Sequence, residues 1–156
     1  HRDLHSFPTR RSSDLLFLIF GMLPLGIALE ETGVVELLAV TVIDHIGHLG
    51  PRVVLTLLYL LAMILTEVAS NNAVGVLLTP IAIGIAEQMG VDARPFIIAV
   101  MFAASAAFST PIGYQTHLFV YGAGGYKYMD FVRIGLPLNT IVWLVASLLI
   151  PVFWPF

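Results

Sequence analysis

The chain has 156 residues, of which 58% are hydrophobic and only 11% are charged, and its formal net charge is −3. This composition, with a mean hydropathy of +0.94, excludes an ordinary soluble domain and indicates an integral membrane protein. Cysteine is absent, so the sequence offers neither a disulfide framework nor thiol chemistry. Basic and aromatic residues are not interleaved in the way that nucleic-acid binding requires.

The first residues differ from the rest of the chain. The run from 5 to 15, His-Ser-Phe-Pro-Thr-Arg-Arg-Ser-Ser-Asp-Leu, resembles the translation of a common short-read sequencing adapter. We therefore expect residues 1–15 to be a non-native, adapter-derived segment; a basic targeting segment is the alternative. Residues 16–156 then begin inside an apolar run, and we expect them to be the C-terminal transmembrane part of a longer protein, truncated at its N-terminus.

In chain order, residues 16–29 predict part of a membrane-crossing helix. Residues 34–49 repeat apolar side chains at helical spacing, with polar side chains mostly away from that stripe. This pattern is typical of a helix that lies along the membrane surface. The alternative is a crossing helix whose polar face packs on its neighbours.

Two apolar arms follow, at residues 53–70 and 73–86, and Asn71 and Asn72 separate them. The second arm has 14 residues and would reach about 21 Å as a helix, less than the hydrocarbon core of about 30 Å. A re-entrant hairpin of two half-crossings fits these lengths better than two full spans. A surface turn between two tilted spans is the alternative.

Residues 96–121 predict a broken transmembrane helix. Thr110, Pro111 and Gly113 fall in its middle, where proline removes a backbone donor and clashes with the preceding turn. Residues 122–130 predict a glycine-rich loop, and residues 131–156 predict the last span. The predicted fold class is an all-α integral membrane protein with an interfacial helix, a re-entrant hairpin and a broken transmembrane helix.

Two polar patches, residues 66–73 and 109–116, interrupt the apolar runs at membrane depth. Polar side chains there are costly, and two broken hydrophobic segments indicate the binding site of a transporter. A broken helix exposes N–H groups that attract anions and C=O groups that coordinate cations. No Lys or Arg lies within either patch. A bound anion would need accompanying cations, which favours coupled transport.

At these patches the sequence resembles the divalent-anion:sodium symporter family, the sodium-coupled sulfate and di- or tricarboxylate cotransporters among the citrate-transporter-like permeases. The strongest points are Thr-Glu-Val-Ala-Ser-Asn-Asn at 66–72 and Thr-Pro-Ile-Gly at 110–113. The resemblance covers residues 16–156. It implies an inverted-repeat carrier that works as a homodimer by an elevator-like motion in the bilayer of a bacterial inner membrane. This chain would be most of the second repeat, with the N-terminal repeat of the same protein missing.

The resemblance also implies a binding site. By position, the anionic substrate would be bound by Ser70, Asn71, Asn72, Thr110 and Pro111. One sodium ion would be bound, through side chains or carbonyls, by Thr66, Ala69, Asn71 and Ser109. Asn72 stands where the family usually has Thr, and His117 stands where many members have Asn. These departures favour sulfate or another oxyanion over a carboxylate.

Glu67 is the carboxylate nearest the hairpin tip. It either relays a proton, which would make the carrier proton-coupled, or accepts hydrogen bonds from backbone or Asn amide groups and holds the hairpin. A different class is an intramembrane hydrolase that uses Ser70 or Ser105 with His117. No carboxylate flanks His117 and no nucleophile-elbow pattern surrounds either serine, so we expect a transporter and not an enzyme.

Overall fold

The computed structural model describes residues 32, 41, 44–67, 69, 71–111 and 113–156. These residues form helices and connections without a strand, in agreement with the predicted all-α class. The elements are a 3-10 helix at Gly47–Leu49 and five α-helices: α1 (Pro51–Thr66), α2 (Asn71–Met89), α3 (Arg94–Ala104), α4 (Gln115–Gly124) and α5 (Tyr128–Phe153). The predicted adapter segment, the span at 16–29, most of the interfacial helix and Ser70 lie outside the described residues.

Two of the described helices are long and apolar enough to cross a membrane: α2, with 19 residues, and α5, with 26 residues. The helices α1 and α3 are shorter and also apolar. The arm predicted to end at Ala86 instead continues to Met89, so α2 reaches about 28 Å at 1.5 Å per residue. The predicted length was wrong, and the length of α2 no longer distinguishes a half-crossing from a full one.

The core lies between α1, α2 and α3, which contact one another, and α5 packs on α1 and α3. The inner face of α3 carries Phe96, Ala99, Val100 and Ala103 at helical spacing, all fully buried. The small residues among them let neighbouring helices approach closely. The outer face of α5 is apolar and exposed; Ile134 and Leu148 are 74% and 71% exposed. Such a face suits contact with lipid or with further protein.

Between α3 and α4, the described residues 105–111, 113 and 114 are not helical. We call the segment between these two helices the interruption. It contains the break predicted at Thr110, Pro111 and Gly113, but α3 already ends at Ala104. At this end the hydroxyl of Thr66 donates to the Ala104 carbonyl oxygen at 2.7 Å. A side chain of α1 therefore satisfies a carbonyl that has no helical partner.

The connection between α4 and α5 is shorter than the loop predicted at residues 122–130. Gly125 ends α4 in the left-handed conformation, with φ of 65°, which glycine adopts without strain. The carboxylate of Asp130 accepts the backbone N–H of Lys127 at 2.8 Å and caps the start of α5. Only residues 125–127 lie outside the two helices.

Candidate functional site

The two polar patches are in contact. The hydroxyl of Thr110 donates to the backbone carbonyl of Glu67 at 2.8 Å. The backbone N–H of Ser109 donates to Oε1 of Glu67 at 2.9 Å. These bonds join the connection between α1 and α2 to the interruption, across 43 and 42 residues of sequence. Two patches that the sequence predicts separately therefore form one cluster.

Four helix ends surround this cluster. The helices α1 and α3 end at Thr66 and Ala104, and the bond between these two residues brings their C-terminal ends together. The helices α2 and α4 begin at Asn71 and Gln115, on the far sides of the two connections. Helix C-terminal ends carry partial negative charge and N-terminal ends carry partial positive charge. The arrangement therefore offers acceptors for a cation and donors for an anion within one region.

Thr66 is the best-buried member of the cluster, with no exposed surface. Its hydroxyl oxygen lies 2.7 Å from the Ala104 carbonyl oxygen and 3.0 Å from Oδ1 of Asn71. A hydroxyl has a single hydrogen, and the shorter distance favours its donation to Ala104. Hydroxyl, amide and carbonyl oxygens are hard ligands of the kind that bind hard cations. Sequence reasoning predicted Thr66 and Asn71 here but missed the Ala104 carbonyl.

Glu67 accepts hydrogen bonds from two other segments. Its Oε1 is 2.9 Å from the Ser109 nitrogen and 2.5 Å from Nδ2 of Asn139 in α5. These are a backbone donor and an Asn amide donor, the two kinds expected for a residue that holds the hairpin. The Nδ2 of Asn139 also lies 2.7 Å from Oγ of Ser109.

Asn139 itself was not assigned to the site from the sequence. It is only 5% exposed and stands in the middle of α5, which is mostly apolar. A buried amide at membrane depth is costly unless it is paired. A polar residue among apolar neighbours was the sequence feature from which Asn139 could have been assigned to the site.

Thr110 is held on both sides. Its hydroxyl accepts the N–H of Gly113 at 3.0 Å while it donates to Glu67. Its carbonyl oxygen lies 3.2 Å from Nδ1 of His117. Pro111, which follows, is buried. The turn that carries Thr110 and Pro111 is therefore fixed by hydrogen bonds from within the interruption, from α4 and from the end of α1.

Two glycines allow close approach at the cluster. A Cβ atom on Gly113 would lie 3.0 Å from Cβ of Ala107 and 3.1 Å from the Thr110 hydroxyl oxygen. A Cβ atom on Gly135 in α5 would overlap the backbone carbonyl of Phe108. Because Gly135 has none, α5 can pass directly against the interruption. Asn139, one helical turn further on, is thereby brought to Glu67.

Two further residues of the predicted site, Ala69 and Asn72, are exposed. The N–H of Ala69 donates to the Leu65 carbonyl at 2.8 Å. Asn72 lies in the first turn of α2. The structure therefore brings together Thr66, Asn71, Ser109 and Thr110 through direct bonds or through Glu67.

The described residues supply no cation to the cluster. Their single ion pair is between Arg94 and Asp92, 4.0 Å apart and exposed at the start of α3. A cavity of about 310 Å³ lies on the α4 and α5 side of the interruption, lined by residues such as Phe108, Phe131 and Leu138. This mostly apolar lining does not suit a divalent anion. The polar cluster is the better candidate for ion binding.

Of the residues named in the hydrolase alternative, Ser105 and His117 have other partners, and Ser70 lies outside the described residues. The Ser105 hydroxyl lies 3.3 Å from the Met101 carbonyl oxygen, and Nδ1 of His117 lies at the Thr110 carbonyl. A nucleophilic serine needs its base within hydrogen-bonding reach. The described geometry does not bring these two side chains together.

A profile described as citrate transporter matches residues 8–155. The chain belongs to the citrate transporter family. An uncharacterized transporter of Synechocystis is 46% identical over 137 residues, which are 88% of this chain and 22% of the relative. An uncharacterized transporter of Escherichia coli is 40% identical over 141 residues, 90% of this chain and 23% of the relative.

A third relative, the sodium/sulfate cotransporter 1 of Chlamydomonas reinhardtii, is 32% identical over 138 residues, 88% of this chain and 16% of the relative. The chain therefore spans less than a quarter of the length of these curated relatives. Membership of the citrate transporter family confirms the resemblance that the two polar patches indicated, and relatives described as sodium/sulfate cotransporters agree with it.

Proposed function

We propose that the full-length protein containing this chain is a secondary active transporter that carries sodium together with a divalent anion, sulfate or a di- or tricarboxylate. The chain supplies half of the binding site. The observation that carries the proposal is that Thr66 joins the ends of α1 and α3 and the start of α2, while the other polar patch bonds Glu67 beside it. Family membership and the relatives described as sodium/sulfate cotransporters support it.

The cation is assigned to the side of the cluster formed by the ends of α1 and α3. The Thr66 hydroxyl and the Asn71 amide oxygen are 3.0 Å apart there, and the carbonyl groups of Ala69 and Ser109 complete the proposed sodium site. Sodium requires several oxygen ligands, and the Thr66 hydroxyl, the Asn71 amide oxygen and these two backbone carbonyls would provide them.

The anion is assigned to the side where α2 and α4 begin. In the sequence, Ser70, Asn71 and Asn72 stand before and within the first turn of α2, and the partial positive charge at a helix N-terminus favours an anion. Thr110 and Pro111 would line the opposite wall. The Thr110 hydroxyl already donates to the Glu67 carbonyl, so it donates to an anion only after it turns away from Glu67. Anion binding and the position of the interruption are coupled in this way.

The membrane arrangement is part of the proposal. Irregular backbone survives at bilayer depth only where protein or a water-filled cavity surrounds it, and here the interruption is packed against α1 and α5. This supports a re-entrant pair α1 and α2, a broken helix α3 and α4, and a second, inverted repeat that completes the site. A homodimer in a bacterial inner membrane, moving as an elevator, belongs to the same proposal.

The experiment that tests this function uses the full-length protein in proteoliposomes. Uptake of labelled sulfate, succinate and citrate is measured with an inward sodium gradient and with potassium in its place. We expect one of these anions to accumulate only with sodium. Accumulation that follows a proton gradient and ignores sodium would replace the proposal with a proton-coupled carrier. A folded protein that accumulates none of the three would contradict the assigned substrate class.

A further inference from the structure

Two buried oxygen atoms in the cluster have no hydrogen-bond partner: Oε2 of Glu67 and Oδ1 of Asn139. They belong to neighbouring side chains, whose other atoms Oε1 and Nδ2 are 2.5 Å apart. Buried polar atoms are almost always paired, and each exception calls for an explanation. An amide oxygen and a carboxylate oxygen both accept, so what they lack is a donor or a cation.

The charge of Glu67 also favours a cation at this place. The carboxylate of Glu67 accepts two hydrogen bonds, from the backbone N–H of Ser109 and from the side-chain amide of Asn139, and both go to Oε1. The other oxygen, Oε2, has no donor. The ion pair that the described residues form lies elsewhere, between Arg94 and Asp92. A buried charge without a partner is strongly unfavourable. A small cation beside Oε2 would remove that penalty.

We propose that Glu67 and Asn139 form a second sodium site, in which Oε2 of Glu67, Oδ1 of Asn139 and Oγ of Ser109 are ligands. Oγ of Ser109 accepts one hydrogen bond from Asn139 at 2.7 Å and keeps a further lone pair for a cation. Carboxylate, amide and hydroxyl oxygens are hard ligands, which sodium shares with other hard cations. A single proton between Oε2 and Oδ1 is the competing occupant, but it would leave the Ser109 oxygen unused.

This site is separate from the one assigned to Thr66 and Asn71. The Thr66 hydroxyl oxygen lies beside the Ala104 carbonyl oxygen and Oδ1 of Asn71, whereas the second site lies where the Glu67 side chain meets α5. A cation there links three segments: the connection after α1, the interruption and α5. Its binding would hold the two polar patches in the arrangement that the structure shows, whatever anion the protein carries.

The test is thermal unfolding of the detergent-purified full-length protein without any divalent anion. The melting temperature is measured against sodium chloride, with choline chloride keeping the ionic strength constant. The matched variants are Glu67→Gln, which keeps the size of the side chain and an acceptor oxygen, and Ser109→Ala, which keeps the backbone N–H and carbonyl. Asn71→Ala removes a ligand of the other sodium site and serves as the background for both.

We expect sodium to raise the melting temperature of the wild type and of Asn71→Ala, because a ligand that binds the folded state stabilises it. Adding Glu67→Gln to Asn71→Ala is expected to remove the remaining sodium response. Adding Ser109→Ala is expected to weaken the apparent sodium affinity several-fold, which keeps the test decisive where the Glu67 variant does not fold.

Three outcomes would overturn the proposal. They are an undiminished sodium response in the Glu67→Gln background, a wild type without any sodium response, and a response to pH alone that depends on Glu67. The last outcome would assign the two oxygens to a proton. Anion uptake plays no part in this readout. A failed uptake experiment therefore leaves the inference standing, and a failed sodium response at Glu67 leaves the proposed function standing.

Discussion

The amide nitrogen of Asn139 in α5 lies 2.5 Å from Oε1 of Glu67, although 72 residues separate them in the chain. The same nitrogen lies 2.7 Å from the hydroxyl oxygen of Ser109 in the interruption. One side chain of the last helix therefore bonds both polar patches. The geometry of the candidate site depends on α5 as much as on the segments that carry its proposed ligands.

The close passage of α5 is tested by Gly135→Ala. The new Cβ would overlap the Phe108 carbonyl, and overpacking of this kind costs about 1–3 kcal/mol. We expect a lower melting temperature and reduced anion uptake, because Asn139 would move away from Glu67. The matched control is Gly75→Ala in α2, where a Cβ atom meets nothing within 4 Å in the described chain. Equal melting temperatures for the two variants would contradict this role of Gly135.

A second attachment of α5 is the indole of Trp143, whose Nε1 donates to the Thr56 carbonyl of α1 at 3.0 Å. Trp143→Phe keeps an aromatic ring but loses this bond, so we expect a loss of about 1 kcal/mol in the free energy of unfolding. The control is Trp154→Phe near the end of the chain, which should change stability little, since Trp154 is 38% exposed. Thermal or denaturant unfolding of the full-length variants measures both. A larger loss of stability for Trp154→Phe than for Trp143→Phe would contradict a stabilising role for the bond between Trp143 and Thr56.

The helices were largely predictable from the apolar runs and from the polar, glycine and proline residues that separate them, but the helix ends were not. The second apolar arm was predicted to end at Ala86, yet Glu87 and Gln88 continue α2 to Met89. Both are exposed and both favour helix. The helix ends instead before Gly90, whose φ of 65° breaks it. Polarity alone did not distinguish an exposed last turn from a loop.

The two polar patches were visible in the sequence, but the contacts between them were not. Thr66, Asn71 and Thr110 were named from these patches, and the structure places them in one cluster. The bond from Thr66 to Ala104, across 38 residues, depends on how α1 and α3 pack. Packing of that kind follows from the whole core and cannot be read from either segment. The same reason explains why Asn139 was missed.

Thr110 offers a test of the hydroxyl within the interruption. Thr110→Val keeps the shape of the side chain but loses the bonds to the Glu67 carbonyl and the Gly113 N–H. We expect coupled uptake to fall at least tenfold (~1.4 kcal/mol of transition-state stabilisation,), with the protein still folded. Thr110→Ser retains the hydroxyl and should retain most of the uptake. Normal transport by Thr110→Val would remove Thr110 from the site.

His117 tests the contact between α4 and the Thr110 turn. Its ring lies near Phe131, with ring centres 5.8 Å apart, while Nδ1 faces the Thr110 carbonyl at 3.2 Å. His117→Phe keeps the aromatic packing and removes the polar contact, so we expect a several-fold loss of anion affinity and little change in melting temperature. His117→Asn restores an amide donor and should recover part of the affinity. Unchanged affinity in His117→Phe would make the residue a packing element only.

The central claim is that sodium and the anion bind at one cluster and strengthen each other. Equilibrium binding of the transported anion to the full-length protein is measured in sodium and in potassium, for the wild type and for Asn71→Ala. We predict at least tenfold tighter anion binding in sodium for the wild type, with most of this sodium effect lost in a folded Asn71→Ala, because Asn71 is the residue assigned to both ligands. An anion affinity that is the same in sodium and potassium, or a sodium effect of undiminished size in Asn71→Ala, would contradict the account.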